Sequence, residues 1–99
     1  MATVTSLSDL DETPHAEVFD DMDPRVVRLE LDAGERVPRH QHPDSTIVLH
    51  VVDGRLELTL GEDLYALEAG DVAKFDGEQD ISPEALGHAT VLVVFVPTA

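Results

Sequence analysis

Two histidines one residue apart, in His40-Gln41-His42, are the residues of this chain whose types and spacing best suit chemistry. In an extended segment both side chains project to one face, about 7 Å apart along the backbone. Two imidazoles so placed can converge on one metal ion with nitrogens roughly 2.0 to 2.1 Å from it. The other three histidines stand apart from the pair. His15 reads as a surface residue, His50 lies on the opposite side of its strand from Ile47, and His88 follows Gly87 at an exposed turn. The absence of cysteine excludes disulfides, thiolate metal sites and thiol nucleophiles. There is no G-x-S-x-G elbow and no phosphate-binding glycine loop. Lys74, the only lysine, reads as a solvated strand residue.

The elements that must position the pair are strands. In RVVRLELD, Val27, Leu29 and Leu31 alternate with Arg28, Glu30 and Asp32, and RLELTL repeats the pattern with Leu56, Leu58 and Leu60 inward. TIVLHVVD and TVLVVFVP are apolar at both parities, as strands covered on both faces are, and Pro97 closes the second. Turn signals recur at Ala33-Gly34, Asp53-Gly54, Gly61-Glu62-Asp63, Ala69-Gly70-Asp71 and Asp76-Gly77, with a break in extended chain at Ser82-Pro83. Short strands at such intervals indicate an all-β barrel or sandwich. Residues 1–15 read as a polar lead-in with one helical turn, Ser6 and Asp9 fitting a capping pattern, and residues 16–99 as one domain.

Composition narrows the partners. The 99 residues carry 21 acids against 6 basic residues, five of them Arg, for a formal net charge of −15. Nucleic acid and anionic membrane need clustered Lys and Arg, so neither is expected. Scarce lysine beside excess acid suits a high-salt interior, where screening suppresses the self-repulsion of the surface. The N-terminus lacks a basic start with a signal-length apolar stretch, and no apolar run approaches the roughly 20 residues of a membrane helix, so a soluble cytoplasmic protein is expected. Two strands apolar on both faces predict a homodimer that covers the outer one.

The frame around the histidines is more specific than the pair. Gly34, five residues, His40-Gln41-His42, four residues, Ile47, six residues and Gly54 resemble the first motif of the cupin superfamily. LEAGDVAKF, Leu67 to Phe75, resembles the opening of the second cupin motif, and VLVVFVP the closing strand of small cupins. The resemblance runs from about Val26 to Pro97 and implies a small double-sheet antiparallel β-barrel, a jelly roll. It also implies four metal ligands. His40 and His42 match two of them, but the glutamate position is Ile47, the second-motif histidine position is Ile81, and Asp76 stands where a proline is usual.

Two imidazoles give a weak site, because neutral ligands do not neutralise the ion's charge. Asp80, next to the expected ligand position, completes it only if this loop is one residue shorter than the family's. His40, His42, Ile47, Leu49 and Ile81 are therefore the expected pocket residues, with at most a weakly bound divalent transition metal. In the segment KFDGEQDISPEAL, the acids and Gln79 suit either recognition of a polar ligand at the barrel mouth or a solvated connection. Two functions remain open. One is a cupin-like barrel that binds a small molecule without a full metal site. The other is a metal-dependent enzyme, of dioxygenase or isomerase type, using His40 and His42.

Overall fold

A computed structural model describes residues 2–20 and 24–98. The alternating segments form strands where expected: β1 (His15–Glu17), β2 (Arg25–Leu31), β3 (Ser45–Asp53), β4 (Arg55–Leu60), β5 (Asp63–Glu68), β6 (Val72–Asp76), β7 (Ile81–Ala85) and β8 (Ala89–Pro97). They make two antiparallel sheets, one in the order β1-β2-β8-β3-β6 and one in the order β5-β4-β7. The two strands apolar at both parities, β3 and β8, are neighbours at the centre of the larger sheet.

Register explains which side chains form the core. Ile47 lies opposite Phe95 and Phe75, Leu49 opposite Val93 and Ala73, and Val51 opposite Val91, so one parity of three strands faces inward. Leu29 and Leu31 of β2 share that face, and Leu56, Leu58 and Leu60 of β4 meet it from the smaller sheet, all buried in one cluster. Each such side chain contributes about 1.5–3 kcal/mol on leaving water. Gly54, between β3 and β4, has φ +83°, and a Cβ there would meet the backbone of His88 and Ala89, so the hairpin requires glycine.

Three local expectations change. The sheets do not close into a barrel. The segment from Gly34 to His42 runs beside β7, touching it through the isolated bridges Arg36↔Glu84 and His40↔Ile81, and Pro38 and Pro83 have no N–H to continue a ladder. Ser82-Pro83 is not a break either, since both lie inside β7. The Val37 carbonyl, facing a strand position without N–H, accepts instead from the Ser82 hydroxyl at 2.7 Å. Proline is tolerated there because β7 has a full ladder on its β4 side alone.

Third, Arg28 stands on the polar parity of β2 yet is only 4% exposed. The lead-in covers it, the guanidinium donating to the carbonyls of Leu7, Leu10 and Glu12 at 3.4, 3.3 and 2.9 Å. The expected turn is a 3₁₀ helix at Leu7–Asp9, but Ser6 makes no side-chain cap, its hydroxyl lying 3.0 Å from that of Ser8. No helix among the described residues is long and apolar enough to cross a membrane.

Candidate functional site

At one end of the space between the sheets is a cavity of about 360 Å³. Its interior is apolar: Val27 and Leu29 of β2, Ile47 and Leu49 of β3, Val93 of β8, and Ile81 and Pro83 of β7 line it, with Phe75 and Phe95. All five residues marked in the sequence, His40, His42, Ile47, Leu49 and Ile81, line this one space. Ile47 and Ile81 are 2% and 4% exposed. Such a volume with few polar groups is the ordinary form of a small-molecule site.

The two histidines are held from the loop side. The His40 backbone exchanges hydrogen bonds with Ile81, at 3.1 and 2.9 Å, which ties the first imidazole to the strand carrying the second isoleucine. Its Nδ1 lies 2.8 Å from the Pro38 carbonyl. A carbonyl only accepts, so Nδ1 carries the proton and Nε2 is the ring nitrogen left for other contacts. The His42 N–H donates to the Gly77 carbonyl at 2.7 Å, and the Gly77 N–H donates to Ser45 at 2.9 Å. Gly77 is buried, and a Cβ on it would collide with the carbonyls of His42 and Ser45. The turn expected at Asp76-Gly77 thus forms the seat of His42.

The rings continue as a chain of contacts. His40 and His42 meet edge to face with centroids 4.8 Å apart, and His42 meets Phe95 in the same manner at 4.7 Å. The Arg25 guanidinium lies over the Phe95 ring at 4.9 Å. Arg25 is bound to Glu17, Nη2 at 2.8 Å and Nε at 3.2 Å from the carboxylate. The hydrogen bond that Arg25 donates to Glu17 raises the Arg25 pKa further. Burial lowers the His42 pKa below its ordinary 6.5, helped by His40, Arg25 and His15. His15 is lowered in the same direction, first by burial and then by His40 and Arg25, with Glu17 opposing.

His15 is exposed, as expected, but it also lines the cavity from β1. Its pairing with β2 places it there, His15 lying opposite Leu29 and Glu17 opposite Val27 on the inward parity, which the sequence alone does not display. Arg25 did carry a sequence signal, since it shares the parity of Val27 and Leu29 in RVVRLELD. His50 has the parity of Val48, opposite Leu92 and Val72, away from the cavity. His88 is exposed beside Asp32 and Glu30, at 3.3 and 3.4 Å.

The donor set does not fit a four-ligand metal centre. Asp80 does not join the histidines: its carboxylate accepts from Gln41 Nε2 at 2.9 Å, faces Arg39 at 3.7 Å, and lies outside the cavity lining. Gln41 alternates with the imidazoles, so its partner stands on the other side of the segment. Among the described residues, no three of His, Asp, Glu or Cys gather as a ligand cluster. The acids and Gln79 of the loop beyond Phe75 are not among the residues lining this cavity. Gln79 donates to the Asp76 carbonyl at 3.1 Å and lines a separate crevice of about 270 Å³ with Leu58, Tyr65 and Lys74.

Known proteins share this fold. Quercetin 2,3-dioxygenase of Bacillus subtilis is 36% identical over 70 residues, which are 71% of this chain but 21% of that one, so the chain spans about a fifth of its relative. The structure of KdgF from Halomonas sp. superposes with a TM-score of 0.84 at 21% identity, covering 100% of this chain and 96% of that chain. A predicted oxalate decarboxylase of Thermotoga maritima gives a TM-score of 0.84 at 18% identity, covering 96% and 99%. At these identities the two structures establish the fold alone. Residues 27–97 match the family model described as Cupin domain, and the chain belongs to the cupin family.

Proposed function

We propose that this protein is a small-molecule-binding cupin whose cavity works without the four-ligand metal centre. The observation that carries the reading is the pair Ile47 and Ile81, 2% and 4% exposed, lining the same cavity as His40 and His42. An apolar floor favours an apolar ligand by about 25 cal/mol per Å² removed from water. His40 and His42 then serve as hydrogen-bonding groups at its edge. Any divalent transition metal is held by these two imidazoles alone, hence weakly. The protein acts as a homodimer in the cytoplasm, with neither nucleic acid nor membrane as a partner.

The alternative is a metal-dependent enzyme of dioxygenase type, favoured by the similarity to quercetin 2,3-dioxygenase. It requires further ligands beside His40 and His42. Elemental analysis of protein purified without a histidine tag or added metal separates the two. Substoichiometric metal, lost on dialysis against chelator, is expected. Equimolar metal that survives dialysis would replace the binding reading with the enzyme.

A further inference from the structure

Charge is distributed unevenly between the cavity and the rest of the molecule. Acids make up 21 of 99 residues, so the sixteen lining residues would carry about three if drawn at random. Among the described residues none of the lining residues is acidic. Instead the lining takes two of the six basic residues, Arg25 and Arg39, and three of the five histidines. A cavity with donors at its rim and no carboxylate among its walls disfavours a cation and suits an anion.

We propose that the cavity takes a small monoanion with an apolar body, its carboxylate held at the mouth by Arg25 between His15 and His42. This rests on the small-molecule reading above and names the class of ligand. Arg25 is the anchor because its charge is permanent and its position is fixed. Glu17 engages Nε and Nη2, and the Phe95 ring lies beneath the guanidinium. Among the described residues Nη1 has no hydrogen-bond partner, so it remains to donate to a ligand carboxylate. Hydrogen bonds of this charge-assisted kind are roughly twice as strong as neutral ones. Glu17 and Asp80 partly offset Arg25 and Arg39, but both carboxylates lie outside the lining.

The interior limits the rest of the ligand. Below the mouth are Val27, Leu29, Ile47, Leu49, Ile81 and Val93, with no side-chain hydrogen-bonding group. A second polar end placed there would lose its water without replacement. The ligand therefore has one polar end. At a water's share of about 30 Å³, the cavity holds a body of roughly a dozen non-hydrogen atoms. The chain as a whole carries a formal net charge of −15, whose field opposes an anion, so only a site where donors gather without carboxylates, as at this mouth, offsets it.

Titration calorimetry with phenylacetate, phenylacetamide and phenethylamine, which share a body and differ in headgroup, tests this on the wild-type protein. Phenylacetate should bind at least tenfold more tightly than phenylacetamide, and phenethylamine should give no measurable heat. Arg25→Gln should weaken phenylacetate at least tenfold and phenylacetamide by clearly less, with circular dichroism showing that the variant is folded. Should that variant not fold, the wild-type series decides alone. Equal affinity for acid and amide would overturn the anion and leave the small-molecule reading standing. If none of the three binds at millimolar concentration the inference fails, and metal content then decides the broader reading by itself.

Discussion

Replacing the two isoleucines with the ligands that the family motif calls for, Ile47→Glu together with Ile81→His, should convert a weak metal site into a strong one at a calculable cost. Both side chains are almost fully buried, so each substitution forfeits about 1.5–3 kcal/mol of apolar burial. Each also places a polar group where the cavity offers it no partner, at about 1–3 kcal/mol more. The metal-free variant should therefore lose roughly 5 kcal/mol or more, a large share of the 5–15 kcal/mol that holds a domain together. Metal should restore much of this, because an ion bound to the folded state alone stabilises it by about 4 kcal/mol at a thousand times its Kd. Thermal unfolding followed by circular dichroism, with and without zinc, reads both effects, and calorimetry should show affinity higher by orders of magnitude than in the wild type. A folded double variant with unchanged zinc affinity would show that His40 and His42 do not converge with positions 47 and 81, and would refute the assignment of the motif.

Gly77→Ala should destabilise the protein by about 1–3 kcal/mol, because the added methyl displaces the carbonyls of His42 and Ser45; a melting temperature within a degree of wild type would contradict the seat described for His42. Proton NMR should find His15 and His42 titrating below 6.5, since burial favours their neutral forms, and His88 above it, since Asp32 and Glu30 favour its cation. The first two therefore cost stability as pH falls from 6.5 through their folded values, whereas His88 contributes stability that is present below 6.5 and lost as pH rises through its own. The melting temperature should rise between about 0.1 M and molar salt as the carboxylates are screened, and a flat or falling curve would refute salt adaptation. Sedimentation in molar salt should show a dimer at micromolar concentration that buries the outer apolar parity of β3 and β8, and a monomer would refute it.

The strands were legible because alternation is local: β2 and β4 each bury one parity of three apolar residues, which any window of six residues displays. Their order in the sheets was not, because β8 sits between β2 and β3 through pairings far apart in sequence. The same distinction governs the site. His40, His42 and Ile47 lie within eight residues and carry their spacing with them. His15 reaches the cavity only through the β1–β2 register, and a three-residue strand is too short to reveal a period, whereas Arg25 shares the parity of Val27 and Leu29 and was open to reading from β2 alone. Arg28 misled in the opposite direction, as polar alternation predicts exposure and only the tertiary placement of the lead-in buries it.

Isoleucine at positions 47 and 81 changes the chemistry of the cavity without disturbing its walls. A buried carboxylate and imidazole stay ionised or correctly protonated only while a metal pairs with them, and without one they are an uncompensated burden. Two branched apolar side chains stand at these inward positions and join the core cluster. The histidines differ because they occupy the rim, where His40 Nδ1 donates to the Pro38 carbonyl and the His42 ring packs edge to face against His40 and Phe95. Donors at the rim over an apolar floor distinguish the two ends of the proposed ligand, and Arg25, fixed by Glu17 beside the same rim, sets which charge its polar end must carry.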